Sequence, residues 1–183
     1  ELVMQKKLRD MIGSGKFITA PGVFDMISTL IANKMNFPAL YVTGYGISSS
    51  YMGLPDAGLM TFTDMETQIR KIVAASDKPV IADADTGYGG LLNVRHTVRA
   101  YEMLGVAAIQ IEDQEYPKKC GHTPGRRVIP TSEMVSKIKV ALDTRKSDDF
   151  LVIARTDSRT SLGMEEALNR VRIELILCQY LRL

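Results

Sequence analysis

The chain predicts a parallel α/β architecture curling toward a (β/α)8 barrel, on three observations. Short runs of Val, Ile and Ala alternate five times with helical stretches. The runs are apolar almost throughout, as strands buried on both faces of a parallel sheet are. Polar residues suited to chemistry stand at the same end of successive runs. Strand-helix alternation implies right-handed crossovers in either a doubly wound sheet or a barrel. An open sheet gathers its site at one switch point, whereas contributions from many strand ends are the habit of the barrel. A complete barrel takes about 250 residues, and these 183 hold five convincing units. The expectation is therefore one domain over 1–183, a barrel truncated after about five units unless the sheet closes another way.

The expected strands are 17–20, 39–42, 80–83, 108–112 and 151–155. Between them, apolar residues recur at i, i+3 and i+4 over 25–35, 64–75, 94–104, 132–144 and from 164 onward, as Met134, Ile138 and Leu142 illustrate. Thr43 and Gly44 follow the second strand, Asp83 and Asp85 the third, Glu112 and Asp113 the fourth, Arg155 and Asp157 the fifth. The stretch 171–183 reads as anomalous. It lacks glycine and stays apolar to its end, where a turn of small residues into a sixth strand is expected, so a frameshift or misassigned sequence near Val171 is the reading.

Composition excludes more than it assigns. An apolar fraction of 45% is ordinary for a globular protein, and a net charge of +2 argues against a nucleic-acid or other polyanionic partner. The one basic cluster, Lys118, Lys119, Arg126 and Arg127, has a solvated loop as its ordinary reading. No apolar run approaches the roughly 20 residues of a membrane helix, and no basic stretch precedes an apolar core at the N-terminus, so a cytoplasmic enzyme is the default. Two cysteines and two histidines are too few for a disulfide framework or structural zinc.

Two stretches carry chemistry. Asp83-Ala84-Asp85 leaves a buried strand where the chain turns through Thr86-Gly87-Tyr88-Gly89-Gly90. Side chains at i and i+2 share a face of a strand, so both carboxylates could serve one hard cation, directly or through water. The same placement also suits a turn-former or a helix N-cap. The second stretch, Tyr116 to Arg127, sets Cys120 among Lys118, Lys119 and His122, surroundings that stabilise a thiolate and suit a nucleophile or proton shuttle. An incidental exposed cysteine fits the same residues. Gly121 and Pro124-Gly125 mark a mobile loop, suited to a lid.

Asp83-Ala84-Asp85-Thr86-Gly87-Tyr88-Gly89, Gln110-Ile111-Glu112-Asp113, Lys118-Lys119-Cys120-Gly121-His122 and Ala154-Arg155-Thr156-Asp157, in that order and spacing, resemble the isocitrate lyase and phosphoenolpyruvate mutase superfamily. The resemblance covers roughly residues 8 to 170 and implies a (β/α)8 barrel holding Mg²⁺, or Mn²⁺, and a 2-oxo acid at the strand ends. By similarity Asp85 is the direct metal ligand, with Asp83 and Glu112 binding through water. Thr43, Gly44 and Tyr45 match a segment whose backbone N–H groups hold the substrate carboxylate. Where lyases of the methylisocitrate kind carry Ser-Gly-Gly, this chain has Thr-Gly-Tyr, which leaves the acid open. Arg155 resembles the residue that holds the 2-oxo acid, Asp56 a carboxylate near the substrate, and Gly121 part of the substrate loop. Asp56, after Pro55, is equally a turn residue.

Within the superfamily the Cys-Gly-His loop marks the carbon–carbon lyases. The resemblance therefore implies Mg²⁺-dependent retro-aldol cleavage of a 2-hydroxy di- or tricarboxylate, of the methylisocitrate or alkylmalate type. Cys120 protonates the departing carbanion, His122 stands beside it, and Tyr41 is a candidate base. Phosphonopyruvate chemistry and oxaloacetate decarboxylation are the alternatives within the family. A non-catalytic chain that associates through an incomplete sheet is the alternative outside it. A homo-oligomer, a tetramer by resemblance, completes the expectation.

Overall fold

The computed structural model describes residues 2–180, with side-chain environments for 3–174. Five strands form one sheet, β1 Gly22–Val23, β2 Leu40–Val42, β3 Val80–Asp83, β4 Ala108–Glu112 and β5 Leu151–Arg155. All neighbours are parallel and lie in chain order, the arrangement of consecutive strands in a barrel. The helices are α1 Leu2–Gly13, α2 Met26–Lys34, α3 Gly44–Ile47, α4 Phe62–Ala75, α5 Leu91–Met103, α6 Thr131–Thr144, α7 Arg159–Leu162 and α8 Met164–Tyr180, with a π-helical turn at Ser48–Met52. Among the described residues no helix is long and apolar enough to cross a membrane.

The outward face of the sheet is covered by helices whose apolar stripes supply the core. Met65, Ile69 and Ile72 of α4, Val94, Val98 and Tyr101 of α5, and Met134, Ile138 and Ala141 of α6 are buried with Leu40, Val42, Val80, Ala82, Ile109 and Ile111. A smaller cluster fills the sheet's other face at its lower end, where Leu8 of α1 packs with Ala39, Ala107 and Ala108, and Ile81, Leu151 and Ile153 lean on it. Start signals agree with the observed boundaries. Asp25 caps α2, accepting the Ser28 N–H at 2.7 Å, and Thr61 caps α4 in reciprocal exchange with Asp64.

Four of the five expected strands stand where their apolar runs are; the first does not. Residues 17–20 are loop, with Phe17 93% exposed, and the strand is Gly22–Val23 instead. The pairing explains the shift. Pro21 has no N–H to give a ladder, but its carbonyl accepts from Tyr41 N at 3.0 Å, and Val23 O accepts from Thr43 N at 3.1 Å, so pairing with β2 starts at the proline. Ile18 and Ala20 are apolar for another reason, since they pack beneath the sheet beside α1. Within the anomalous stretch 171–183, α8 continues to Tyr180, and residues 181–183 lie outside the described residues.

Candidate functional site

The C-terminal strand ends surround a cavity of about 510 Å³. Tyr41 reaches it from β2 and Thr43 from just after it, Asp83 from β3, Glu112 from β4 and Arg155 from β5. Tyr45 and Asp56 come from the segment after β2, where the π-helical turn ends on Gly53 at φ 65°, a left-handed position that suits glycine. Cys120, Gly121 and His122 descend from the loop after β4. Ten of the twelve site residues expected from sequence thus line one cavity, and the other two touch its wall: Gly44 N–H donates to Asp83 Oδ2 at 3.2 Å, and Asp85 Oδ1 lies 2.8 Å from Lys118 Nζ.

The two aspartates converge, though not by strand alternation. The strand ends at Asp83, and Asp85 takes a left-handed backbone at φ 47°, which costs roughly 1–2 kcal/mol in a non-glycine residue. Asp83 holds the turn by accepting Asp85 N–H at 3.0 Å, and Asp85 O accepts Glu112 N–H at 2.9 Å. Gly44 completes the approach, since a Cβ there would lie 3.1 Å from Asp83 Oδ2 and 3.6 Å from Asp85 Oδ1.

Charge is unevenly balanced around this turn. Asp56, Asp83, Asp85 and Glu112 face two cations, Lys118 and Arg155. Burial and then Asp83 push the Asp85 carboxyl up to about 7, against the pull of Lys118. Glu112 rises to about 8 through burial and the neighbouring aspartates, despite Arg155 Nη1 at 3.1 Å. Burial works against charge on Lys118, yet Asp85 and Asp83 outweigh it and hold the ammonium above its ordinary value. Glu112 Oε1 is buried without a hydrogen-bond partner among the described residues. Asp85 Oδ1 is close to Lys118 but without hydrogen-bond alignment, so the ion pair is a charge contact.

This donor set fits a hard divalent cation held mainly through water and substrate oxygens. Among the described residues no three His, Cys, Asp or Glu side chains are gathered as a ready-made cage. Mg²⁺ commonly binds through one or two carboxylates and keeps several waters. The surplus of buried carboxylates and the orphaned Glu112 oxygen are what such an ion would satisfy.

Three expectations change. Tyr41 does not suit a base: burial, then the Asp83 charge, push its phenol far above the ordinary value, so it keeps its proton at neutral pH. Its oxygen accepts from Gln110 Nε2 at 2.9 Å, which leaves the O–H to donate. Two backbone donors assigned to the substrate carboxylate are engaged elsewhere, Thr43 N–H by Val23 O and Gly44 N–H by Asp83. The basic cluster around Cys120 is not uniformly solvated. Lys118 is 4% exposed and paired to Asp56 and Asp85 rather than turned to the thiol, and Lys119 Nζ donates to Gly125 O at 3.2 Å.

Lys118, expected from the sequence in the cysteine-loop motif and beside the thiol, is thus instead a cavity-wall residue paired to the aspartates. Its signal was the excess of strand-end carboxylates, which requires a buried cation. Gln114 is a residue that sequence reasoning missed, donating to Lys119 O at 2.9 Å and to Asp157 Oδ2 at 2.8 Å while accepting Lys119 N–H at 3.0 Å. It ties the stem of the cysteine loop to the β5 end, and nothing in its sequence context marks it.

The chain is similar in sequence and fold to known proteins. The family model described as phosphoenolpyruvate phosphomutase matches residues 8–173. The chain is 51% identical over 164 residues to 2,3-dimethylmalate lyase of Eubacterium barkeri, covering 90% of this chain and 57% of that protein. An oxaloacetate acetylhydrolase solved with 3,3-difluorooxalacetate superposes with a TM-score of 0.90 at 38% identity, over 94% of this chain and 60% of the other. A phosphonopyruvate hydrolase solved with oxalate and Mg²⁺ gives a TM-score of 0.87 at 30% identity, over 95% and 60%. The chain therefore spans somewhat more than half the length of these relatives.

Proposed function

The chain belongs to the phosphoenolpyruvate mutase and isocitrate lyase superfamily, and we propose that it carries the metal- and substrate-binding part of a carbon–carbon lyase. Its substrate is a 2-hydroxy di- or tricarboxylate of the alkylmalate or methylisocitrate type, and its products are a 2-oxo acid and a second carboxylate. The observation that carries this reading is Cys120 lining the same cavity as Asp83, Glu112 and Arg155. A thiol opposite a carboxylate-rich floor is what retro-aldol cleavage needs and what a phosphonate transfer would leave idle.

Asp85, Asp83 and Glu112 would hold Mg²⁺, or Mn²⁺, and the ion supplies Lewis-acid polarisation of the substrate oxygen that becomes a carbonyl. Arg155 presents a guanidinium fork to the 2-oxo acid end, with Glu112 and Asp157 fixing its plane at 3.1 Å each. Tyr41 donates to the substrate and keeps its proton, and Thr43 lines the same cavity while its hydroxyl caps α3. As the C2–C3 bond breaks, its electron pair stays on C3, the C2 hydroxyl gives up its proton to solvent water as the C2 oxygen becomes the carbonyl, and C3 takes a proton from Cys120 Sγ, whose thiolate is then reprotonated from solvent. Lys118 and Asp56 form the wall between floor and lid. His122 stands beside the thiol on the exposed side.

Resemblance extends the proposal to a cytoplasmic homo-tetramer acting on small acids, with no nucleic acid or membrane. Hydrolysis of oxaloacetate is the second reading, favoured by the similarity to an oxaloacetate acetylhydrolase. Offering 2,3-dimethylmalate, methylisocitrate, isocitrate, oxaloacetate and phosphonopyruvate in turn, with the 2-oxo acid or acetate followed enzymatically, tests the choice. Cleavage of one of the first three is expected; turnover of oxaloacetate alone would move the protein to the second reading.

A further inference from the structure

The loop that carries Cys120 folds around Arg126, a residue to which the proposed chemistry assigns no part. Arg126 belongs to the basic cluster, yet it is 9% exposed, while its neighbour Arg127 faces solvent and pairs with Glu115 at 2.7 Å. The Arg126 guanidinium turns back into its own loop. Nη1 donates to the carbonyls of Gly121 and Thr123, the latter at 3.1 Å, with Cys120 O at 3.5 Å. Nη2 donates to Thr160 Oγ1 in α7, directly after the β5 end that supplies Arg155. Thr123 N–H closes the turn onto Cys120 O at 2.8 Å.

The turn so gathered lies on the substrate guanidinium. A Cβ on Gly121 would fall 2.5 Å from Arg155 Nη2, so the backbone of the lid touches the residue that would hold the 2-oxo acid. Among the described residues, Arg126 is the charged group that hydrogen-bonds to both this turn and α7. Carbonyls of a tight turn that point together repel one another, and a single planar cation with several N–H groups relieves that repulsion while joining the turn to a fixed helix.

We propose that Arg126 is a positioning residue, a latch that fixes the Cys120–Thr123 turn closed over the cavity so that the thiol is held at the reacting carbon. The proposal rests on the lyase reading for its catalytic consequence, but the latch is a property of the loop and can be tested without turnover. Losing charge-assisted bonds of this kind shifts a closed-to-open equilibrium by roughly 10–100-fold.

The test compares Arg126→Gln, Arg126→Lys, Thr160→Val and the solvent-facing control Arg127→Gln. Iodoacetamide labelling is followed on the Cys120 peptide by mass spectrometry, alongside Mg²⁺ and oxalate affinity by calorimetry, melting temperature and, where cleavage is found, kcat and KM. Arg126→Gln should label faster by roughly 10–100-fold, lower kcat, and keep Mg²⁺ and oxalate affinity. Arg126→Lys and Thr160→Val should fall between it and the wild type, and Arg127→Gln should match the wild type. Wild-type labelling in Arg126→Gln would overturn the latch. Faster labelling matched by equal loss of oxalate binding and melting temperature would also overturn it, as general loosening. Should Arg126→Gln fail to fold, Thr160→Val decides, and its labelling at the wild-type rate overturns the proposal. Faster labelling in a protein that cleaves no hydroxy acid would sink the lyase reading and leave the latch standing.

Discussion

At the residue scale the site is a problem in carboxylate charge. Asp85 is set in a left-handed turn, buried, and raised to about 7, while Glu112 is raised to about 8. Asp85→Ala should abolish Mg²⁺ binding, whereas Asp83→Asn or Glu112→Gln should weaken it by roughly 10–100-fold, the usual loss for groups acting through water or a second ligand. Calorimetry with Mg²⁺ and oxalate reads both, and an Asp85→Ala protein binding as the wild type does would refute the ligand assignment. The sign of the pH dependence follows from the same groups. Their folded pKa values lie above those of the unfolded chain, so the folded ion-free protein binds extra protons between about pH 4 and pH 8 and loses stability as pH rises through that window. Mg²⁺ needs the ionised carboxylates and releases those protons. The rise in Tm produced by Mg²⁺ should therefore be larger above about pH 8 than below about pH 6; an equal rise at both would show that these groups do not bind it. Asp83, Asp85, Glu112, Arg155 and Cys120 were legible in the sequence because each stands in a motif at or after a strand end. The pairing of Lys118 with Asp56 and Asp85, and the ties made by Gln114, were not, since each depends on the direction of a side chain in a loop.

At the scale of elements, four strands and the helices α2, α4, α5, α6 and α8 could be read from hydrophobic period, and α1 and β1 could not. The stripe Gln5, Leu8 and Met11 on α1 mixes a buried amide with apolar residues, and Gln5 is there because its amide donates to Val106 O at 3.2 Å under the sheet. Strand β1 is two residues long, set by what β2 needs as acceptors rather than by its own composition. The short α3 and the π-helical turn have no period to read, being 4 and 5 residues long. Helix α8 is docked by a buried ion pair, Arg170 to Asp113 at 3.0 Å, in which the guanidinium also donates to Ile129 O at 2.8 Å. Asp113 in turn accepts Asp157 N–H at 2.8 Å and the Thr156 hydroxyl at 2.7 Å, so the pair fixes the loop after β5. Arg170→Leu leaves a wholly buried carboxylate without its cation and should cost about 3–5 kcal/mol in urea unfolding. Arg127→Leu, which breaks an exposed pair, should cost about 0–1 kcal/mol. Equal losses would mean that Arg170 does not dock the helix.

At the scale of the whole molecule, five parallel strands in chain order bring floor, wall and lid to one rim, and the division of labour follows from that geometry. The floor is carboxylate, from β3 and β4; the far wall is cationic, from β5 and Lys118; the lid brings a thiol from the loop after β4. Under the proposed lyase reading, binding a 2-oxo acid does not need the thiol, whereas the departing carbanion needs an acid on the side away from the floor. The most direct measurement is therefore 2-oxo acid release from 2,3-dimethylmalate by the wild type and by Cys120→Ser, set beside Mg²⁺ and oxalate affinity of the two proteins. The account predicts cleavage by the wild type, a loss of roughly 10²–10⁴-fold in Cys120→Ser as for a general acid, and unchanged affinity. A Cys120→Ser protein that cleaves as fast as the wild type would contradict it.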